Sequence, residues 1–512
     1  MLGLAGARVL ARAGLLAPAR PDRLLGMGLA LARWGLTLAT GYAAGAARHP
    51  HRAAIVDDVG VLTWREIDLR TDRMAGELRR RGLREGDAVG LLARNGRGFV
   101  EGAVAASKCG ADLLYLNTGS APGPLAEVLD REGATTLLHN ADLADLLAAS
   151  ASGRLVVTTE ELAGMVTSTA PVPPKSGHAP RQVILTSGTT GAPRGAARSS
   201  VGLDDAVSAL STIPLRAGGT TVIAAPVFHA WGLGHLSLAM LLGSTVVLHE
   251  RFDPARVLAS VQAQRASALV VVPVMLERLL AADPASYDLS CLQVVAVSGS
   301  ALPGALATRV LAAFGPVLYN LYGSTEVAYA AVATPEDLAA DPHSAGRPPY
   351  GVTLRVVDDD DRDVPPGTAG RIFVGSGLAF EGYTDGSDTG RLGSLVATGD
   401  LGVLDEDGRL SVLGRDDDMV VVGGENVYTT QVENVLHGHP CVADVVVVAE
   451  PDPAYGVRLV AHVVASAPVD PEDLQELVRV QLARFAVPRE VHFVQELPRN
   501  ATGKVVKREL TG

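Results

Sequence analysis

Cysteine and lysine are the scarce residues of this chain. Three cysteines in 512 residues, Cys109, Cys291 and Cys441, stand far apart. They show neither zinc-ligand spacing nor the even count of a disulfide framework, so small buried hydrophobes in a reducing compartment are expected. Lysine occurs only at Lys108, Lys175, Lys504 and Lys507, which leaves forty of the 44 basic residues as Arg. No basic tract is present either, and the net charge is −12. That excludes nucleic acid as a partner, because phosphate contacts dominate such binding. Long apolar runs are missing too. In the Ala-, Leu- and Gly-rich first 50 residues, Arg8, Arg12, Arg20, Arg23 and Arg33 interrupt every apolar stretch. The longest uncharged run there, Trp34 to Ala47, has 14 residues, short of the about 20 that a spanning helix needs. Ala17-Pro18-Ala19 superficially resembles a cleavage site, but packed helices are the expectation, in a cytoplasmic protein. Contact of these helices with a membrane surface stays open, as does a homodimer.

What is present reads as globular. Hydrophobic residues make up 47% and charged residues 20% of the chain, the balance of a packed core rather than a disordered segment. Short β-branched runs, such as Val183-Ile184-Leu185, Leu269-Val270-Val271-Val272 and Val294-Val295-Ala296-Val297, alternate with Ala/Leu-rich helical stretches. Nearly continuous apolar strands between helices predict an α/β fold of mostly parallel sheets covered on both faces. Arg65 to Gly82 reads as an amphipathic helix that Gly82 ends. The cluster Asp358–Asp363, followed by Pro365-Pro366-Gly367, reads as a solvated hairpin tip. A boundary falls at Gly414-Arg415-Asp416-Asp417-Asp418. Beyond it, strands at 443–449, 458–465 and 490–495 and a helix from about Pro471 predict a small α+β domain. The division is therefore 1–414 (with 1–50 a helical extension), a hinge at 415–418, and 419–512.

Six segments carry chemistry. Leu185-Thr186-Ser187-Gly188-Thr189-Thr190-Gly191-Ala192-Pro193-Arg194-Gly195 follows an apolar run and combines glycines, hydroxyls and a cation. Such a loop brings backbone N–H groups close to an anion and suits a polyphosphate, although it is not a Walker A loop. Pro226-Val227-Phe228-His229-Ala230-Trp231-Gly232 offers a histidine, which taken alone is more often structural. Ser298-Gly299-Ser300-Ala301-Leu302-Pro303 follows a buried-looking strand. Asn320-Leu321-Tyr322-Gly323-Ser324-Thr325-Glu326 offers an aromatic for base stacking, a close-approach glycine, and a carboxylate able to ligate a hard divalent cation. Thr398-Gly399-Asp400 and Asn500-Ala501-Thr502-Gly503-Lys504 complete the set.

In this order and spacing the segments resemble the ANL superfamily: acyl- and aryl-CoA synthetases, peptide-synthetase adenylation domains and firefly-type luciferases. The resemblance covers roughly residues 50–510. It implies a large domain for ATP and acyl group, closed by a small mobile domain. Thr186, Ser187, Gly188, Thr189, Thr190 and Gly191, with Arg194, would hold the β- and γ-phosphates. Gly299, Ser300 and Ala301 would border adenine and the acyl pocket. Tyr322 would stack on adenine, beside Gly323 and Ser324. Thr325 would contact the α-phosphate, and Glu326 would ligate Mg²⁺. Asp400 would bind the ribose hydroxyls with help from Arg415. His229 would stand near the substrate carboxylate, with Trp231 as an aromatic gate, and Lys504 would bridge carboxylate and α-phosphate. Asp417 would be the hinge, and the loop of Gly423 and Gly424 would face the pantetheine tunnel for coenzyme A.

Two departures weaken parts of this picture. Pro193-Arg194-Gly195 stands where the family usually has Pro-Lys-Gly, replacing a point charge with a planar fork. Tyr428-Thr429 stands where the family commonly has Tyr-Pro. The expected activity is acid plus ATP to acyl-AMP and pyrophosphate, then transfer to coenzyme A. The small neutral residues at Ser298–Ala301 and Gly323-Ser324, with Trp231, favour a fatty or bulky apolar acid. The alternatives are an enzyme that stops at the adenylate or serves a separate carrier protein, and a non-catalytic binding protein on the same scaffold. Lys504, Glu326 and Asp400 argue against the last.

Overall fold

The computed structural model describes residues 4–178, 180–186, 194–198, 203–377, 384, 390–415, 419–422, 425–452, 456–500 and 503–510. By its internal contacts the chain divides into two compact units. The first comprises Met1–Val271, Ala282–Ala296 and Gly377–Asp388; the second comprises Val272–Ala281, Val297–Ser376 and Thr389–Gly512.

The first unit holds two sheets. In one, Leu155–Thr158, Ala134–His139, Ala88–Leu92, Asp112–Tyr115 and Gln182–Thr186 run parallel in that order, and Arg194–Arg198 closes the edge antiparallel. In the other, Ala268–Val271, Thr220–Ile223, Thr245–Leu248 and Ala53–Asp57 run parallel, with Gly60–Thr63 antiparallel at the rim. Ala268–Val271 and Thr245–Leu248 are buried at every position, which is why they read as unbroken apolar runs rather than alternating ones. Each fully buried Val, Leu or Ile side chain contributes about 1.5–3 kcal/mol by leaving water.

The helix expected from Arg65 spans Trp64–Arg80. A reciprocal capping box starts it: Glu66 N–H donates to Thr63 Oγ1, and Thr63 N–H donates to the Glu66 carboxylate. Such caps satisfy N–H groups that the first turn leaves open. Gly82, with φ +121°, follows the helix end as expected. Three helices open the chain: α1 (Leu4–Arg12), α2 (Pro21–Trp34) and α3 (Leu38–Arg48). The expectation of packed helices holds for α1, which buries Gly6 and Leu10, and for α3, which buries Leu38, Ala39, Tyr42 and Gly45. It holds only weakly for α2, whose one buried residue is Ala30.

The second unit contains an antiparallel sheet of Thr353–Val357, Ala369–Gly375, Leu395–Leu404 and Leu410–Arg415, with Arg391–Leu392 on Leu395–Leu404. The acidic cluster 358–363 is the turn between its first two strands, with Asp358–Arg362 backbone hydrogen bonding across the tip. Further along, Val442–Asp452 and Gly456–Ala465 pair antiparallel and Glu490–Phe493 adds a parallel strand. The helices Thr429–His437 and Pro471–Gln481 pack on them through Val432, Leu436, Leu474 and Val478. Every strand and helix expected there is present, and the fold class is the one read from the pattern. The cysteines are free, and burial pushes the Cys109 thiol up to about 12.

Candidate active site

In the second unit, Leu318–Tyr322 pairs antiparallel with Ala331–Ala333 and ends in Tyr322. The connection folds back at once: Ala328 N–H donates to Ser324 O (2.8 Å), and Ala330 N–H donates to Tyr322 O (2.9 Å). A Cβ on Gly323 would lie 1.8 Å from Ala328 O, so only glycine fits this close approach. The Glu326 N–H donates to Ser324 Oγ at 3.2 Å. Thr325 and Glu326 are thus held within a pinned turn, both half-buried.

Asp400 lies on Leu395–Leu404, paired in register with Arg415 on Leu410–Arg415. The Tyr322 hydroxyl donates to the Asp400 carboxylate. Arg415 Nε stands 3.9 Å from Asp400 Oδ1, and its Nη1 donates to Thr398 O at 3.4 Å. Thr398 Oγ1 donates to Ile372 O (3.1 Å) and accepts from Asp400 N–H (3.2 Å). Burial, then the Asp400 charge and its hydrogen bond, raise the Tyr322 pKa, so the phenol stays a neutral donor. The antiparallel register sets the carboxylate beside the guanidinium, and a side-chain hydrogen bond from a strand of another sheet adds the aromatic.

Gly299, Ser300 and Ala301 follow the buried strand Val294–Val297, with Gly299 and Ala301 exposed. The Gly299 backbone abuts Val272, whose Cγ1 is 3.2 Å from where a Cβ would sit. Gly503 abuts the same valine and its neighbour: Val272 Cγ2 at 3.4 Å and Val274 Cγ1 at 2.7 Å. The turn that carries Lys504 and the Gly299 segment thus meet on Val272. That turn is held at both ends. Asn500 N–H donates to Lys504 O (2.9 Å), Lys504 N–H donates to Asn500 Oδ1 (3.0 Å), and Arg499 Nη1 donates to Gly503 O. Lys504 itself is exposed. Lys507 has a different part: its Nζ donates to Thr429 Oγ1 at 3.2 Å and lies 3.7 Å from Glu433. Thr429, buried at the start of its helix, stands where the resemblance expects proline.

In the first unit, His229 precedes the helix Ala230–Leu241 and Trp231 lies in its first turn. A Cβ on Gly232 would be 2.3 Å from Pro226 O, so this helix start packs against backbone. His229 Nε2 is buried without a hydrogen-bond partner among the described residues, and desolvation pushes its pKa down to about 4. Its ring packs on Phe228 at 5.1 Å. Trp231 Nε1 donates to Val271 O at 2.9 Å. Two residues not singled out from sequence belong here. His235 stacks edge-on against Trp231, centroids 4.1 Å apart; it too has a buried, unpartnered Nε2, and burial lowers its pKa to about 4. Asn95 donates to Ile223 O (3.2 Å) and Ala225 O (2.9 Å) and accepts from Val227 N–H (2.9 Å). It fixes the backbone that leads to His229. His235 had a readable signal, its i, i+4 spacing from Trp231; Asn95 had none.

Thr186 ends Gln182–Thr186 and pairs in register with Arg194, so the phosphate-loop candidate is the connection of an antiparallel pair. Arg194 is exposed. Ser187, Gly188, Thr189, Thr190 and Gly191 lie outside the described residues, as do Asp417, Gly423 and Gly424. Among the described residues no group of three or more His, Cys, Asp or Glu side chains could hold a metal.

Residues 42–384 match the AMP-binding enzymes, and residues 431–504 match the AMP-binding enzyme C-terminal domain. The chain is 34% identical over 474 residues to a feruloyl-CoA synthase of Amycolatopsis sp, covering 90% of this chain and 96% of that protein. It is 30% identical over 489 residues to a fatty acid–[acyl-carrier-protein] ligase of Streptomyces coeruleorubidus, covering 91% and 94%. Among solved structures it is similar to o-succinylbenzoate CoA synthetase from Bacillus subtilis in complex with its acyl-adenylate intermediate. The TM-score is 0.83 at 26% identity, with 92% of this chain and 98% of that chain covered.

Proposed function

The chain belongs to the AMP-binding enzyme family, in its acyl-CoA ligase type, and on that premise we propose the reaction and the residues that perform it. A carboxylate oxygen of an apolar acid attacks the α-phosphorus of ATP; the bond to the β-phosphate breaks and pyrophosphate leaves. The thiol of coenzyme A then attacks the acyl carbonyl, and AMP leaves as the thioester forms. The observation that supports the first step most is the meeting of the Lys504 turn and the Gly299 segment on Val272, in the unit that also holds Tyr322, Asp400 and Arg415.

The nucleotide suits that constellation. Tyr322 offers a partly buried ring for adenine, and Asp400 offers a carboxylate for ribose hydroxyls, its position set by Tyr322, Arg415 and Thr398. Thr325 and Glu326 stand in the turn after Tyr322. Glu326 would supply the carboxylate that holds a magnesium ion, which would neutralise phosphate charge when bound. Lys504 supplies a compact positive charge where charge builds on the α-phosphate oxygens, the kind of stabilisation that is largest in a dry site. Its exposed side chain on a braced turn fits a group delivered to the reaction rather than buried beside it. We assign residues 1–414 to the ATP- and acyl-binding domain, 415–418 to the hinge and 419–512 to the lid.

The apolar character of the acid rests on the first unit. His229 and His235 are held neutral by burial, and Phe228 is buried beside them. Among the described residues no charged group acts on either imidazole, so these surroundings favour neither a second carboxylate nor an amino group. The buried His229 Nε2, without a partner among the described residues, is suited to one carboxylate oxygen.

The carrier-protein ligase among the relatives supports a second acceptor, a pantetheine on a separate protein. Thr429 in the proline position, tied to Lys507, adds to it, because that segment belongs to the thioester half of the resemblance. A panel of fatty, alicyclic, aryl and amino acids with Mg-ATP, each offered coenzyme A or a holo-carrier protein, separates the readings. Acyl-CoA from an apolar acid is the expected product. An amino acid or small benzoate turning over best would refute the substrate class, and acylation of the carrier alone would replace the acceptor.

A further inference from the structure

The helix α2 is built inside out. Between Arg23 and Arg33 it has no charge, and its four leucines face solvent: Leu24, Leu25, Leu29 and Leu31 are 53%, 65%, 63% and 46% exposed. Its less exposed face carries Gly26, Met27, Ala30 and Trp34. Ala30 is the one it buries, and a Cβ on Gly26 would sit 2.9 Å from Ala47 Cβ of α3. The exposed residues 24, 25, 28, 29, 31 and 32 recur at helical spacing and form one apolar stripe. Leu16 before the helix and Leu36 after it are exposed as well. A soluble protein rarely leaves a contiguous patch of this kind without a use.

Charge says what covers it. Residues 4–36 hold Arg8, Arg12, Arg20, Arg23 and Arg33 against the single acid Asp22, on a chain whose net charge is −12. Arg8, Arg12, Arg20 and Arg33 are exposed. A symmetric contact with a second copy would set the same arginines against each other. An anionic bilayer surface attracts them while its acyl layer takes the leucines. The 14 residues of α2 rise about 21 Å, short of the ~30 Å hydrocarbon core, so the helix lies on the surface rather than across it. We propose that α2, with Leu16, Leu36 and the flanking arginines, seats this protein on an anionic phospholipid surface. The inference is independent of the identity of the acid.

The test is co-sedimentation of the full chain with vesicles of phosphatidylcholine alone and of phosphatidylcholine and phosphatidylglycerol in equal parts. Binding is expected to the anionic vesicles, about tenfold weaker to the neutral ones, and weakened by added salt. The Leu25→Glu/Leu29→Glu double variant should lose vesicle binding with its melting temperature kept, because both side chains are exposed. No binding of the wild type to anionic vesicles, or equal binding by the double variant, would overturn the proposal. So would light scattering that finds a dimer which the double variant dissolves while neither form binds vesicles, since a second copy would then be the cover.

Discussion

The histidine segment of the first unit and the nucleotide-side segment of the second solve opposite problems. Around Tyr322, Asp400 and Arg415 each charge faces its opposite or a hydroxyl; backbone register holds Asp400 and Arg415, and a side-chain hydrogen bond ties Tyr322 to them. Among the described residues no charge acts on His229 or His235, and two buried imidazole nitrogens there have no partner. A satisfied polar cluster gives a rigid seat for a polar ligand. An unpaired polar atom in a dry wall costs free energy until a ligand supplies its partner. On the proposed roles, one region is organised before its ligand arrives, and the other is completed by it.

The largest expected effect breaks the comparison at the reacting centre. Lys504→Ala should lower acyl-AMP formation by about 10²–10³-fold, the scale of one lost oriented donor to a developing charge. Thioester formation from supplied acyl-AMP should be spared; equal loss of both halves in a folded variant would remove Lys504 from its assigned role. Next, Asp400→Asn keeps the shape but removes the charge. It should raise the KM for ATP by about tenfold or more, as for a lost charged hydrogen bond of ~1.5–3 kcal/mol, with the KM for the acid little changed. A shift in the acid's KM instead would erase the division between the two regions. Asn95→Ala removes the hydrogen bonds to Ile223 O, Ala225 O and Val227 N–H in the interior. It should cost about 1–3 kcal/mol in urea unfolding and should raise the KM for the acid more than that for ATP.

The smallest effect concerns pH. Both imidazoles stay neutral down to about 4, from an ordinary value of 6.5. Between those values the unfolded chain binds protons that the folded chain does not, so their contribution is complete above pH 6.5 and is lost as pH falls toward 4. His235→Gln should therefore lose less stability than the wild type on moving from neutral pH into that window, as read from urea midpoints. An unchanged slope would show that His235 titrates normally in the folded protein.

What the sequence made legible follows from how local each rule is. Parallel strands showed as unbroken apolar runs because both faces of Ala268–Val271 and Val294–Val297 are buried. Gly323 was readable because a close approach leaves only one residue type. The pairing of Tyr322 with Asp400 was not readable, since 78 residues separate them and they stand on strands of different sheets, joined by a side-chain hydrogen bond. Asn95 was silent for the same reason: its partners stand about 130 positions away. The scarcity of lysine turned out to be a mixed guide. It drew attention to Lys504, but Lys108 was also kept, and its ammonium is fully buried between Asp68 and Asp72. There a compact charge meets two carboxylates in the interior, a structural use of the same property.

The most direct test of the central claim is pyrophosphate release from Mg-ATP, measured with and without an apolar carboxylic acid and with the AMP-linked product identified by mass spectrometry. The account predicts release that depends on the acid and an acyl-AMP of matching mass. ATP binding with no acid-dependent pyrophosphate would contradict it and leave a binding protein on an enzyme scaffold.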